Sequence, residues 1–168
     1  MSRIAAIALG SNLASLWGDR EANLREAVRR VGKLGEVRAV SSFHDTAPVG
    51  YADQPNFLNG AMLLETEQEP VELMRALLAI ERAMGRDRAV VTDAEQSGAA
   101  PIKGPRTIDL DLLLMDDLVL DADELTLPHP AMAERRFVLE PLAEIAPAMV
   151  DPVSGRTVAE MLARLAGR

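Results

Sequence analysis

Cysteine is absent from this 168-residue chain. Disulfides, thiolate zinc sites and cysteine nucleophiles are therefore excluded, and a reducing cytoplasm is the expected compartment. No apolar run approaches the ~20 residues that a membrane span needs, and the first such run is too short for a signal peptide. The length fits a single domain, residues 1–168, with a core of ordinary size.

Positive charge is also scarce. The chain has 18 basic and 26 acidic residues, which gives a net charge of −8 and a pI near 4.8. This balance argues against nucleic acid or an anionic membrane as a partner. A P-loop motif is missing as well, so a bound phosphate would need arginines or a metal rather than a glycine-rich loop.

Hydrophobic periodicity predicts elements in the order β-α-β-β-α-β. The strands are predicted at residues 4–9, 36–43, 56–65 and 107–115, and the helices at residues 19–34 and 70–84. A hairpin at residues 118–127, a helical stretch ending near Ile145 and a last helix with a Thr157–Glu160 capping box follow. The order is typical of a ferredoxin-like α+β fold, an antiparallel sheet with both helices on one face, extended here by a C-terminal region. The second sheet face is then expected to be open for a site.

Two carboxylates share one side of the last strand of this predicted sheet. Side chains alternate along a strand, so Asp109 and Asp111 point to one face and Leu110 to the other. Neighbouring carboxylates repel each other unless cations neutralise them, and a divalent ion bound to substrate phosphates is the simplest neutraliser. Cations precede the strand at Arg86, Arg88, Lys103 and Arg106. The alternative is a solvated strand face with two acids that bind nothing.

The aromatic residues number one Trp, one Tyr and three Phe, and two of the Phe lie near candidate polar groups. Phe57 and Asn59 share a face of the third predicted strand, where a ring could stack on a flat heterocycle and a carboxamide could pair with its edge. Phe137 could supply a second ring. A core Phe beside a turn Asn is the alternative. His129, held between two prolines, could donate to a phosphate or could be an ordinary loop histidine.

The stretch from residue 86 to residue 105 lacks hydrophobic periodicity and is long for a loop in a compact domain. Because it carries cations near both ends, we expect a lid that becomes ordered over bound ligands. A surface insertion without function is the alternative.

A series of motifs occurs in a familiar order along the chain. They are Gly10–Leu13, Ser41–Phe43, Thr46–Gly50, Asp53–Asn59, Gly104–Asp111 and Pro128–Pro130. Over nearly the full length the chain resembles the 6-hydroxymethyl-7,8-dihydropterin pyrophosphokinases, a family with a ferredoxin-like fold. The resemblance implies transfer of the β,γ-pyrophosphoryl group of MgATP to the pterin hydroxymethyl group, with release of AMP, in folate biosynthesis.

The resemblance also implies roles for individual residues. Asp109 and Asp111 would bind two Mg²⁺ ions and, with Arg86, Arg88 and Arg106, would form the catalytic group. ATP would be bound by Glu81, Arg88, Lys103, Arg106, Thr126, His129 and Arg135, with Lys103 in place of a family aromatic. The pterin would be bound by Thr46, Pro48, Val49, Phe57, Asn59 and Phe137.

Two other functions fit parts of the sequence. A two-metal nucleotidyltransferase also pairs a Gly-Ser turn with an Asp-x-Asp strand, but Ser11 and Asp109 lie far apart here. An RNA-binding domain of the same element order would need a basic sheet face, which the net charge disfavours. We expect small-molecule partners and a monomer, with a dimer as the alternative.

Overall fold

The computed structural model describes residues 1–46, 56–85 and 107–166. The main sheet is antiparallel, with its strands in the order β2-β4-β1-β5 and β3 also paired to β4. Its strands are β1 (Arg3–Ser11), β2 (Glu36–Val40), β3 (His44–Thr46), β4 (Phe57–Thr66) and β5 (Asp109–Met115). A separate hairpin joins β6 (Leu120–Asp121) to β7 (Thr126–Leu127). The described helices are α1 (Arg20–Val31), α2 (Pro70–Ala83), α3 (Arg136–Ile145) and α4 (Val158–Ala166).

The helices α1 and α2 pack on one face of the sheet, as predicted. Leu24 of α1 and Leu73 of α2 join Ile7, Met62 and Leu110 of the strands in one buried cluster. Local signals fix where these helices begin. The Asp19 carboxylate accepts the Ala22 N–H at 3.0 Å, and Glu69 and Glu72 form a capping box around Pro70 at the first position of α2. The predicted capping box of α4 is confirmed as well, by reciprocal bonds between Thr157 and Glu160.

The second sheet face carries the two C-terminal helices. Leu139 of α3 and Met161 of α4 are buried against Ala6, Ala61 and Leu113 of the strands. The expectation of an open second face is therefore wrong over most of its area. The apolar sides of the two helices are buried only by packing on another element, and the small alanine side chains of β1 and β4 leave room for them.

The predicted strand at residues 36–43 is interrupted in the structure. Its β2 part ends at Val40, and β3 begins only at His44. The Ser41 hydroxyl accepts the Ala61 N–H at 2.9 Å and donates to the Ser42 carbonyl at 2.7 Å. A side chain thus replaces a backbone group in the ladder with β4, which ends the regular strand.

The predicted first helix also ends earlier, since residues 32–34 form a 3-10 turn before Gly35. A Cβ on Gly35 would lie only 2.1 Å from the Glu65 carbonyl oxygen, so this close approach to β4 requires glycine. The predicted hairpin is confirmed as β6 and β7. Among the described helices, none has the length and apolar character that crossing a membrane would require.

Candidate active site

The acidic pair lies on the second face of the sheet, beside the first turn of α3. Asp109 is 7% exposed and Asp111 is half-buried, while Leu110 between them packs into the core on the first face. In the register of the sheet, Asp109 stands opposite Gly10 and Asp111 opposite Ala8. The smallest residues of β1 therefore flank the carboxylates and leave space beside them.

Gly10 is the point at which the polar side chains converge. It is paired with Asn59 of β4 on one side and with Asp109 of β5 on the other. A Cβ on Gly10 would lie 3.0 Å from Asn59 Oδ1, 3.7 Å from a Phe57 ring carbon and 3.9 Å from Asp109 Cβ. Three of the predicted site residues thus surround one glycine, and any side chain at that position would take up the space between them.

The predicted carboxamide is buried and oriented. Asn59 is 6% exposed, and its Nδ2 donates to the hydroxyl of Thr46 on β3. This bond turns the Oδ1 end of the carboxamide towards Gly10. Phe57 is 7% exposed and stands opposite Thr46 in the pairing of β3 with β4. The three residues predicted on these strands therefore form one contiguous group.

The second predicted aromatic comes from the C-terminal helices. Phe137 lies in the first turn of α3 and, with Val138, lines a small pocket together with Asn59, Asp109 and Asp111. The Arg135 guanidinium lies 5.8 Å from the centre of the Phe137 ring. A residue predicted to bind ATP therefore lies beside a residue predicted to bind the pterin. The structure thus joins residues from β4, β5 and α3 in one site.

Glu81 of α2 contacts β5, the strand that carries the two aspartates. Its side chain is 0% exposed, and its Oε2 accepts the Leu110 N–H at 2.8 Å. Leu110 is the residue between the two aspartates, so this bond fixes the backbone that carries both of them. Sequence reasoning placed Glu81 near the nucleotide and did not predict this backbone contact.

His129 is attached to β5 through its backbone. Its N–H donates to the Leu113 carbonyl at 2.9 Å, and its Nδ1 accepts the Ala131 N–H at 3.2 Å. An accepting Nδ1 favours the neutral tautomer in which Nε2 carries the proton and donates. Thr126 is exposed on β7, close by in the chain, and the Leu127–Pro128 bond between them is cis.

Several predicted site residues lie outside the described residues. They are Pro48, Val49, Arg86, Arg88, Lys103 and Arg106, and the predicted lid at residues 86–105 lies outside as well.

Sequence reasoning missed a polar cluster beside this site. The Glu144 carboxylate of α3 accepts hydrogen bonds from the Ser42 N–H at 2.8 Å and the Ser42 hydroxyl at 2.9 Å, and lies 3.0 Å from His44 Nε2. The Ser42 N–H, then His44 and the Ser42 hydroxyl, lower the Glu144 pKa from 4.5 to about 2. No local pattern could reveal this contact, because Glu144 follows the other two residues by about a hundred positions.

A second missed contact involves Arg20 at the start of α1. Its guanidinium donates to the Asp45 carboxylate at 2.9 Å and to the Asn56 carbonyl at 2.7 Å. The hydrogen bond from Arg20 lowers the pKa of the Asp45 carboxyl. Arg20 thereby ties the chain before residue 47 to the chain after residue 55.

The Gly10-Ser11 pair, which the sequence suggested as a turn, forms the end of β1 and is not arranged as a phosphate cradle. Ser11 is 0% exposed, its hydroxyl accepts from Asn23 Nδ2 at 3.1 Å, and it points to the Leu13 carbonyl at 3.5 Å. Asn23 also donates to that carbonyl at 2.7 Å. The Ser11 hydroxyl is therefore used in these contacts, which disfavours the nucleotidyltransferase alternative.

The fold and the site together define a mixed α/β protein whose antiparallel sheet presents a carboxylate pair, a buried carboxamide and two aromatic rings at one end of a face. Residues 6–147 match the family model described as 7,8-dihydro-6-hydroxymethylpterin-pyrophosphokinase (HPPK). The chain belongs to this family.

Named relatives agree with this result. The chain is 45% identical over 147 residues to the 2-amino-4-hydroxy-6-hydroxymethyldihydropteridine pyrophosphokinase of Bacillus subtilis, covering 86% of this chain and 79% of that one. It is 37% identical over 166 residues to the folic acid synthesis protein fol1 of Schizosaccharomyces pombe, covering 98% of this chain and 21% of that one. The chain therefore spans about a fifth of the yeast protein's length.

A solved structure has a similar fold. A Plasmodium falciparum HPPK-DHPS crystal structure matches the whole chain with a TM-score of 0.73 at 13% identity, and this chain covers 44% of that one. At this identity the likeness concerns the fold alone.

Proposed function

We propose that this protein transfers pyrophosphate from ATP to 6-hydroxymethyl-7,8-dihydropterin, giving the pterin diphosphate and AMP, as a step of folate biosynthesis. The observation that carries the proposal is the convergence of Asn59, Asp109, Asp111 and Phe137 on one pocket. A carboxamide and an aromatic ring suit a flat heterocycle, and a carboxylate pair suits a polyphosphate with its metal. Family membership and the names of the relatives support the same reaction.

The donor set of the acidic pair fits Mg²⁺. Within residues 1–46, 56–85 and 107–166, no three His, Asp or Glu side chains gather as an all-protein metal cage. Two carboxylates alone are what a Mg²⁺ site needs when substrate phosphates and water supply the remaining oxygens. Asp109 and Asp111 would bind two such ions, which supply neutralisation of the triphosphate charge. Glu81 accepts the Leu110 N–H and so holds the backbone between Asp109 and Asp111 in place.

The pterin would lie between the rings of Phe57 and Phe137. Asn59, oriented by its bond to Thr46, would offer Oδ1 to the donor edge of the heterocycle. Pro48 and Val49 are proposed to contact the pterin as well. Gly10 gives the ligand access to this group of side chains, because no Cβ occupies the space beside Asn59 Oδ1.

The ATP phosphates are proposed to bind at the acidic pair. We assign phosphate contacts to Arg86, Arg88, Lys103 and Arg106, and nucleotide contacts to Glu81, Thr126, His129 and Arg135. For His129 the tautomer supports the assignment, since a donating Nε2 is suited to an anion. The Glu81 carboxylate already accepts the Leu110 N–H, so any nucleotide contact would share it with that bond.

The reaction itself requires positioning more than covalent chemistry by the protein. The hydroxymethyl oxygen of the pterin attacks the β-phosphorus, and the bond to the oxygen between the α and β phosphates breaks. AMP leaves with the bonding electron pair, and the hydroxyl proton passes to water. Holding the acceptor in line with the β-phosphorus and neutralising the developing charge are the two contributions that such a site makes.

We also propose that the fold is ferredoxin-like and forms one domain over residues 1–168. The strand order β2-β4-β1-β5, with α1 and α2 on the same face, supports this. We propose a cytoplasmic location from the absence of cysteine, and small molecules rather than nucleic acid as partners from the acidic net charge. A monomer is proposed as well.

The test is AMP formation from MgATP with and without 6-hydroxymethyl-7,8-dihydropterin. The proposal predicts AMP in amounts equal to the pterin consumed and none above background without pterin or without Mg²⁺. Release of ADP, or AMP formation that ignores the pterin, would refute it.

A further inference from the structure

The strand β3 is short, and each of its three side chains is bound to a different part of the protein. His44 contacts Glu144 of α3, Asp45 binds Arg20 of α1, and Thr46 binds Asn59 of β4. Among the described residues, β3 pairs with β4 alone. A three-residue edge strand has few ladder bonds of its own, so its position depends on these side-chain contacts.

The contact with α3 also involves Ser42, which lies two residues before β3 begins. Glu144 Oε1 accepts the Ser42 N–H at 2.8 Å, while Oε2 accepts the Ser42 hydroxyl at 2.9 Å and lies 3.0 Å from His44 Nε2. Other charged groups are close: Glu140 Oε2 lies 3.9 Å from His44 Nδ1, and Glu140 Oε1 pairs with Arg136. We call the group Ser42, His44 and Glu144 the β3–α3 brace.

The brace joins the two sides of the proposed pterin site. Glu144 follows Phe137 by seven residues on α3, which is about two turns or ~10 Å along the helix. Residues at this spacing lie on the same side of a helix. His44 stands opposite Asn59 in the sheet and precedes Thr46 by two residues. The brace therefore connects the strand that orients the carboxamide with the helix that carries the second ring.

We propose that the β3–α3 brace is a positioning device for pterin binding, which fixes β3, and with it the Thr46–Asn59 pair, relative to Phe137. This inference rests on the proposed function. Without the brace, β3 would sample more positions. Ordering β3 when the pterin binds would then cost entropy and weaken pterin binding. The effect is expected to be larger on the pterin than on the nucleotide, because β3 and α3 carry Thr46 and Phe137, which are assigned to the pterin.

The first test needs no ligand. Amide hydrogen exchange at Asp45 and Thr46 should be faster in Glu144→Ala than in the unsubstituted protein. Glu26→Ala is the matched control, since Glu26 also has a pKa of about 2 but is bound by Arg29 and Arg30 on its own helix. Unchanged exchange in β3 would overturn the inference, whatever the protein binds. Should Glu144→Ala fail to fold, Ser42→Ala removes one contact of the brace and is judged by the same criterion.

The second test is calorimetric titration with 6-hydroxymethylpterin in the presence of a non-hydrolysable MgATP analogue. Glu144→Ala should raise the Kd of the pterin about fivefold, the effect of losing charge-assisted hydrogen bonds at a half-exposed site. The Kd of the analogue should change less than twofold, and Glu144→Gln, which keeps an acceptor for the Ser42 N–H, should recover part of the pterin affinity.

Equal losses for both ligands, or an unchanged pterin Kd, would refute the brace as a positioning device. Failure of the unsubstituted protein to bind pterin would instead refute the proposed function. The exchange experiment alone would then test whether the brace orders β3.

Discussion

Replacing Gly10 with alanine is the smallest change that should damage the proposed site without harming the fold. The new methyl group would lie 3.0 Å from Asn59 Oδ1 and 3.7 Å from the Phe57 ring. Asn59 would have to move by a few tenths of an ångström, and the methyl would occupy the space from which a ligand reaches the carboxamide. The backbone gives no reason for instability, because Gly10 is not among the glycines with positive φ.

The magnitude follows from the groups that are lost. Displacing Asn59 costs a ligand hydrogen bond in a buried setting, about 1–3 kcal/mol, which corresponds to roughly 5- to 150-fold in kcat/KM for the pterin. The free energy of unfolding should instead stay the same or rise by about 0.5 kcal/mol, because alanine loses less backbone entropy than glycine in a strand.

Steady-state kinetics with each substrate varied in turn, together with urea unfolding, measures both quantities. The matched control is Gly32→Ala, whose methyl would meet a Val37 methyl group at 3.3 Å, away from the site, and it should leave kcat/KM unchanged. A Gly10→Ala protein with normal kcat/KM for the pterin would show that the ligand does not approach Asn59 across Gly10. A large loss of stability would show that the tight contact is with the core rather than with a ligand site.

Three further predictions concern other parts of the site. Asp109→Ala or Asp111→Ala should abolish most turnover at saturating Mg²⁺ without lowering the urea midpoint, because removing one of two like charges relieves repulsion; near-normal turnover would contradict the metal assignment. Phe57→Ala or Asn59→Ala should weaken calorimetric pterin binding by roughly 1–3 kcal/mol while ATP binding changes little; an equal loss for ATP would mean that the wrong ligand is placed there. Glu144, whose pKa is lowered from 4.5 to about 2, should stabilise the fold above pH 4.5 and lose that contribution as the pH falls towards 2. In urea unfolding between pH 2 and 6, the free energy of unfolding should fall less steeply with acid in Glu144→Gln than in the unsubstituted protein. The same pH dependence in both proteins would refute the linkage.

The parts of the site that lie on regular strands were predictable from the sequence. Alternation along β5 places Asp109 and Asp111 on one face, and alternation along β4 does the same for Phe57 and Asn59. These patterns are local, so each can be derived without knowing the rest of the fold. The two pairs lie on the same face of one sheet because Gly10 pairs with both β4 and β5. A single sequence does not specify this pairing.

The parts that depend on distant contacts could not be predicted. The apolar residues of α3 and α4 indicate helices, but nothing local shows that they cover the second sheet face. The interruption at Ser41 depends on a hydroxyl that replaces a backbone group, and a serine in a strand does not reveal which bond it makes. His44 had no predicted role because its partner, Glu144, lies on a helix near the other end of the chain.

The most direct test of the central claim follows the phosphates of ATP into the products. ATP labelled at the α-phosphate and ATP labelled at the γ-phosphate are incubated separately with Mg²⁺, the protein and 6-hydroxymethyl-7,8-dihydropterin, and the products are separated. Pyrophosphoryl transfer predicts that the α label stays in AMP and that the γ label appears in a pterin carrying two phosphates. An α label on the acceptor, as in nucleotidyl transfer, or a γ label on an acceptor carrying a single phosphate with ADP as the other product, would contradict it.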